Sequence, residues 1–420
     1  MRTVRWSAML SVCLMMLAGA WLASPAAAAN SACVNPGGTN GCLNSIQAAI
    51  NSVSAGGIVT VAAGTYLGGD INISQPVTLV GSGMSQSVID ATGSTGAAIT
   101  VNIVSPALGS MKPAPATRII GFTIKNATLE GVHVIGSDRV TISGNLVTGN
   151  DKGLVPGQSF DDTTCPPDPQ PFEAFDCGEG IHLDGATNST VLGNTVTGNA
   201  GGILLSDENG ATFNNRVLNN TVTNNILDCG IIMASHSPNG IHNNVIAGNT
   251  SSGNGAAGVG IFGSIPGSST HDNLVAGNKL FGNGEAGVAL HIHGPGVTLD
   301  NNVIVGNTIH DNGGDPDPAV NLPSIGIEIF SDAANGGGAI NGAKVDLNTI
   351  SSQTVGVYVG TGALSPVLRL NHLEGTTTGV DNAGTGTVDA RFNHWGCTAG
   401  PGNPGCSGVM GSVLFMPVLP

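Results

Sequence analysis

Aromatic side chains, charge and long apolar runs are all scarce in this chain, and each scarcity excludes something. Aromatic residues make up 4% of the 420 positions and charged residues 9%. A core organised around large rings is excluded, and so is a chain kept open by its own charge. Lys and Arg number 12 against 27 Asp and Glu, which disfavours nucleic acid or an anionic membrane surface as a partner. The apolar run at residues 9–22 follows Arg2 and Arg5 and precedes Ala27-Ala28-Ala29. Residues 1–29 are therefore expected to be a secretory signal peptide. No other stretch is long enough to span a bilayer, so the mature chain is expected to be soluble and secreted, extracellular or periplasmic, with no membrane insertion. Losing Arg2 and Arg5 leaves ten basic residues against the same 27 acids. That balance would repel a polyuronate unless cations or a local positive site intervened.

Cys13 departs with the leader, and three close pairs remain: Cys33 with Cys42, Cys165 with Cys177, and Cys397 with Cys406. In an oxidising compartment each pair is expected to close a local disulfide. Cys229 is left over and reads as a small buried residue rather than a nucleophile.

What the chain has in abundance is glycine, 65 residues of it, together with asparagine in a repeating pattern. Asn220, Asn249, Asn278 and Asn307 recur every 29 residues, each with a second Asn five positions later. Earlier copies stand at Asn145/Asn150 and Asn194/Asn199, and Asn348 opens a later one. Between them recurs a glycine followed by alternating aliphatic residues, as in "GVHVIG" (131), "GIHLDG" (180), "GIIMASH" (230), "GVALHIH" (287) and "GIEIFSD" (326). Alternation over five to seven residues predicts short strands with one buried face. No helical period lies between them, which excludes βαβ units. Coils this small cannot bury their apolar face alone, so copies must stack.

The predicted fold is all-β, a single-stranded parallel β-helix of about a dozen coils. Val288, Leu290 and Ile292 are expected to point inward, on Ile231 and Met233 below and Ile327 and Ile329 above. The recurring asparagines are expected to take left-handed backbone at the corners and to join in an amide ladder. A capping helix is expected in "LNSIQAAINSVSAGG", with Asn44 or Ser45 as N-cap, Ile46, Ala49, Ile50 and Val53 on one face, and Gly56-Gly57 as the stop. The domain reading is a signal peptide (1–29), an N-terminal cap with helix (30–57), the β-helix (58–390) and a C-terminal cap (391–420) around Trp395.

The segments "SIQAAINSVSAGGIVTVAAGTY" and "PVTLVGSG", the "GNTVTGN" type of coil and the closing "NHWGC…GPG" resemble secreted right-handed parallel β-helix repeat proteins of the pectin lyase-like superfamily. The resemblance covers residues 30–420 and implies the right hand of the solenoid. It implies no single activity, because that superfamily spans polysaccharide lyases, hydrolases, epimerases, adhesins and a periplasmic copper-delivery protein. No catalytic residue carries over by position.

If alternate residues face in, the others form outward columns about 4.8 Å apart from coil to coil. Aligned on the strand glycines, one column runs His133, His182, Leu204, Ile232, Gly260, Ala289, Glu328, Tyr358. A second runs Ile135, Asp184, Ser206, Ala234, Phe262, His291, Phe330, and a third contains Glu208, His236, His293 and Asp332. The candidate catalytic groups are Asp184, Glu208, His236 and His293. His182, Phe262, His291, Glu328, Phe330 and Asp332 are candidates for substrate binding, with both phenylalanines read as an exposed platform for a sugar ring. Two acidic insertions, 30 residues from Asn150 to Gly180 and 14 from Asn312 to Gly326, are expected to wall a shallow trough.

Asp184 with Glu208 would suit glycoside hydrolysis, which needs one carboxyl holding its proton. Lyase or epimerase chemistry would instead use His236 or His293 as base and Ca²⁺ on loop aspartates as the cation. No metal site is assigned, although His291 and His293 are a candidate pair; His236, two coils away, is too far to join them. The leading expectation is a protein that binds, and in its finer form processes, a polysaccharide or cell-surface glycan. The alternatives are a non-catalytic adhesive solenoid and a copper-accessory protein.

Overall fold

The computed structural model describes residues 29–103, 115–151, 179–316, 320–332 and 336–420. The expected leader before Ala29 and the Cys165 and Cys177 pair lie outside these residues. The chain winds as a right-handed parallel β-helix. Its strands fall into three long sheets of 14, 12 and 11 members. Successive members of each sheet come from successive turns of the chain, and each pairs in parallel with the next. In the 12-stranded sheet Val288–Ile292 sits between Val259–Gly263 and Ile325–Ser331.

The interior holds Val288, Leu290 and Ile292, all fully buried as expected. Register refines the neighbours. Val259 and Ile261 lie directly below Val288 and Leu290, and Ile327 and Ile329 directly above. Ile231 and Met233 are one coil further down, against Val259 and Ile261, because the strand at Gly258 intervenes.

Three amide ladders run along the solenoid, from Asn145 to Asn393, from Asn150 to Asn312 and, unanticipated, from Asn215 to Asn302. Asn249 shows the bonding. Its backbone N and side-chain Nδ2 both donate to Asn278 Oδ1 (2.9 and 3.0 Å), and Nδ2 also donates to the Val217 carbonyl (2.9 Å). Its own Oδ1 accepts the matching pair from Asn220. Every polar atom of a buried amide is thus used. The left-handed residues are not the ladder asparagines but their predecessors, such as Asn219, Gly248, Gly277 and Gly306. One residue turns the corner, and the next is then free to aim its amide inward. The strand glycines answer to space instead: a Cβ on Gly180 would stand 2.2 Å from Val196 Cγ1.

The helix spans Ile46–Ser52, with the Ser45 hydroxyl accepting from the Ala48 N–H. Ile46, Ala49 and Ile50 join the main core. Val53, expected on the helix, opens the strand Val53–Val61, which runs through Gly56 and Gly57. Pairing with the strand Ala29–Val34 and with Val77–Gly81 captures this segment before the glycines are reached. At the other end Trp395 is buried, and Gly408–Met410 and Val413–Leu414 extend two sheets. Cys33–Cys42 and Cys397–Cys406 are disulfides, and Cys229 is free and buried.

One expectation fails broadly. The outward face of the 12-stranded sheet is not solvated over its middle coils. Leu204, Ile232, Ala234, Phe262, Ala289, Phe330 and Tyr358 form a second apolar cluster there, joined by Val320 and Ile325 from the second insertion. Strands such as Val288–Ile292 are therefore buried on both faces, as parallel strands are when further chain packs over them.

Candidate functional site

The outward columns exist as the alignment places them. His133 pairs with His182, His182 with Leu204, and Ala289 with Glu328. Asp184 pairs with Ser206, and Phe262, His291 and Phe330 follow one another in register. The polar members gather in two groups, one at the lower end of the apolar cluster and one within it.

The lower group occupies the coils at Gly131, Gly180, Gly202 and Gly230. The His133 and His182 rings stack 4.5 Å apart, parallel to within 6°. Glu130, buried just before the strand glycine, places Oε1 3.6 Å from His133 Nδ1 and 3.5 Å from His182 Nδ1. His182 Nε2 lies 2.8 Å from the Ser206 hydroxyl, and His133 Nε2 faces Asp184 at 3.7 Å. Asp184 accepts the backbone and side-chain N–H groups of Asn209. Glu208 Oε1 meets His236 Nδ1 at 2.7 Å. His236 is held by Asp207, whose carboxylate accepts the backbone N–H groups of His236, Ser237 and Gly240.

Burial alone would push these carboxyls up and the imidazole down, yet the partners win. Burial raises Glu130, but the His182 bond and the His133 charge hold it below the usual range. Burial likewise opposes Asp184 and Glu208, and the nearby His133 and the His236 bond respectively bring both down. His133 would be lowered by burial, but Asp184, 3.7 Å away, and the charges of Glu130 and Glu208 raise it. Neither Asp184 nor Glu208 is then the proton-holding carboxyl that the hydrolase expectation required. The group in this cluster whose hold on a proton is strengthened is the His133 imidazole. Two groups open the cluster to solvent: the His133 side chain is 20% exposed and that of Glu208 38%.

The upper group sits at the coils of Gly287 and Gly326. His291 Nδ1 is 3.2 Å from Asp315 Oδ2, and Glu328 completes a set within 4.8 Å of one another. His293 is half-buried, its ring 4.2 Å from that of His291 and edge-on to Phe262 at 5.4 Å. Asp332 follows in the next coil, its N–H bonded to the Ile292 carbonyl. Phe262 and Phe330, expected to be exposed, are 8% and 2% accessible. They pack under the insertion rather than offering a platform. Glu285, beside this group, is pushed up to about 8 by burial and by the charges of Asp315 and Asp228.

Sequence reading missed Glu130, Ser206, Asp207, Glu285 and Asp315 and left His133 without a role. Glu130 had a signal, since Glu179 stands at the same place before Gly180, and Asp315 lies in the acidic insertion already noted. Ser206 carries no signal beyond its column.

A profile of the family described as "Periplasmic copper-binding protein (NosD)" matches residues 69–260 and 170–310. No curated protein matches. Among solved structures, the chain is similar to the Azotobacter vinelandii mannuronan C-5 epimerase AlgE4 A-module, at 18% identity and TM-score 0.55, covering 82% of this chain and 94% of that one. It is also similar to the Dettilon tailspike protein, at 19% identity and TM-score 0.52, covering 78% of this chain and 63% of that one. At such identities the likeness is one of fold. Among the described residues no helix is long and apolar enough to cross a membrane.

Proposed function

This chain belongs to the family described as periplasmic copper-binding protein (NosD), and we propose that this member is an extracytoplasmic β-helix that binds a polysaccharide and processes it by proton transfer at the lower group of the 12-stranded sheet. The observation that carries the reading is the gathering of imidazoles and carboxylates on one face, Glu130, His133, His182 and Asp184 in contact and Glu208 with His236 beside them, with the His133 and Glu208 side chains reaching solvent. In this reading His133, kept protonated by its acidic neighbours, is the general acid. Glu208, ionised and fixed by His236, is the base. Asp184 and Glu130 hold the charge on His133, and His182, bonded to Ser206, positions the His133 ring by stacking on it. No Lys or Arg stands in the outward columns, so the stretch of glycan in contact is neutral or carries its own cations. The two disulfides support an oxidising compartment.

Purified protein offered a panel of neutral and acidic polysaccharides tests this. Product release from a neutral glycan, abolished in Glu208→Gln and His133→Asn while thermal melting persists, is the expected result. No binding and no turnover on any glycan would overturn it in favour of an adhesive solenoid. The copper reading has one observation in its favour, the convergence of imidazole and carboxylate groups, and its fit differs between the places where they converge.

A further inference from the structure

Among the described residues three places bring three imidazole and carboxylate groups within 4.8 Å of one another. At Glu130, His133 and His182 the two rings are parallel and 4.5 Å apart. An imidazole binds a metal ion in its own ring plane, about 2.0–2.1 Å from nitrogen, and two separated parallel planes share no such point. At His372, Glu374 and His394 the His394 Nδ1 already accepts the Gly396 N–H at 3.2 Å. The third set meets neither obstacle.

We propose that His291, Asp315 and Glu328 form a binding site for a divalent transition-metal ion of the zinc type. The 3.2 Å between His291 Nδ1 and Asp315 Oδ2 is close to the edge of a tetrahedron with bonds of about 2.0–2.1 Å, which is about 3.4 Å. All three side chains are buried, and their positions come from separate parts of the chain. His291 is fixed in the column between Phe262 and Phe330, with the Phe330 ring edge-on at 4.9 Å. Glu328 stands one coil above, against Ala289. Asp315 enters from the second insertion, which Val320 and Ile325 anchor to the same apolar cluster.

Two buried carboxylates this close repel each other unless a proton or a cation lies between them. A protonated His291 offers one unit, and a dication with neutral His291 offers two. One imidazole and two carboxylates suit a borderline or hard ion rather than Cu(I), which prefers thiolate and thioether sulfur. The aromatic shell of Phe262, Phe330 and Tyr358 keeps water from competing with the ligands. A bound ion would also tie the insertion to the strand face, since Asp315 belongs to one and His291 and Glu328 to the other.

The test is independent of any glycan. Full-length secreted protein is stripped with a chelator and titrated with Zn²⁺, Cu²⁺, Co²⁺ and Ca²⁺ by calorimetry, with Co²⁺ absorption and melting temperature as further readouts. The expected result is one Zn²⁺ per chain, a raised melting temperature and a Co²⁺ spectrum of low coordination number. Glu328→Gln and His291→Ala should each weaken binding at least about tenfold, and His372→Ala should not. Should the strand variants fail to fold, Asp315→Asn in the insertion makes the same measurement. Absence of Zn²⁺ binding by folded wild-type protein, binding of Ca²⁺ alone, or binding lost only in His372→Ala would overturn the proposal.

Discussion

The imidazoles of His133 and His182 lie one above the other, 4.5 Å apart, with the same Glu130 oxygen 3.6 and 3.5 Å from their Nδ1 atoms. Two stacked imidazolium ions would repel, so one carboxylate serving both rings favours a state in which a proton resides chiefly on one. His133 is the ring whose affinity for a proton is raised. This relationship fixes how stability should depend on pH. A group with a raised folded pKa contributes stability that is complete below its unfolded value, 6.5 for histidine, and that is lost as pH rises through the folded value. Glu130 and Asp184 are lowered, so their contribution is complete above the ordinary carboxylate range and is lost as pH falls through their folded values. The contribution of this cluster should therefore be fullest between about pH 5 and 6.5, on top of the decline that Glu285, pushed up to about 8, adds as pH rises. Melting temperatures measured across pH 3–9 should show both limbs, and His133→Gln should flatten the decline above pH 6.5 while leaving the acid limb largely in place.

The amide ladders predict a sharp contrast between neighbouring asparagines. Asn249→Ala removes a buried amide that serves Asn220, Asn278 and the Val217 carbonyl. It leaves those groups short of partners in a dry interior. The expected cost is about 2–4 kcal/mol. Asn219, exposed and left-handed at the corner just before the ladder residue Asn220, should accept glycine with a change of no more than about 0.5 kcal/mol. Chemical denaturation of both variants checks the contrast. A ladder variant as mild as the corner variant would mean that the stacked amides are bystanders.

How much of this was legible in the sequence divides along the two faces of the strand. The period-two pattern assigned Val288, Leu290 and Ile292 to the interior, and the glycine alignment gave the outward columns in the register observed, since these strands stack residue on residue from coil to coil. The state of the outward face was misread because alternation states which side a residue takes, not whether that side meets water. The warning was present: Leu204, Ile232, Ala234, Phe262 and Phe330 are poor residues for a solvated sheet, and "GIIMASH" carries Ile232 and Ala234 on the outward side of Ile231 and Met233. Glu130 and Asp315 escaped because they sit outside the strands, where periodicity is silent and only the folded turn brings them in.

The phenylalanines carry a prediction that follows from that correction. An exposed stacking platform would lose glycan affinity on truncation with little loss of stability. Phe330 is instead buried beside Tyr358 and His291. Phe330→Ala should therefore leave a cavity and cost about 3–5 kcal/mol, seen as a lowered midpoint in urea. Retained stability with weakened glycan binding would restore the platform.

The proton-transfer reading leads to the most demanding expectation, the pH profile of turnover. Glu208 must be ionised to act as base, and the His236 bond at 2.7 Å lowers its pKa against the upward push of burial. His133 must hold its proton to act as acid, and Asp184 with Glu130 raises its pKa. Activity on a responsive polysaccharide should then rise as pH climbs through the lowered carboxylate value and fall as pH passes the raised imidazole value. The result is a plateau wider than unperturbed groups at about 4.3 and 6.5 would give. His236→Ala removes the bond that keeps Glu208 ionised, so burial should prevail and the acid limb should move to higher pH, narrowing the plateau from that side. Asp184→Asn should move the alkaline limb to lower pH and leave the acid limb in place. A profile in which both variants merely scale the rate, with neither limb displaced, would separate these residues from the chemistry and return them to the role of holding the coil together.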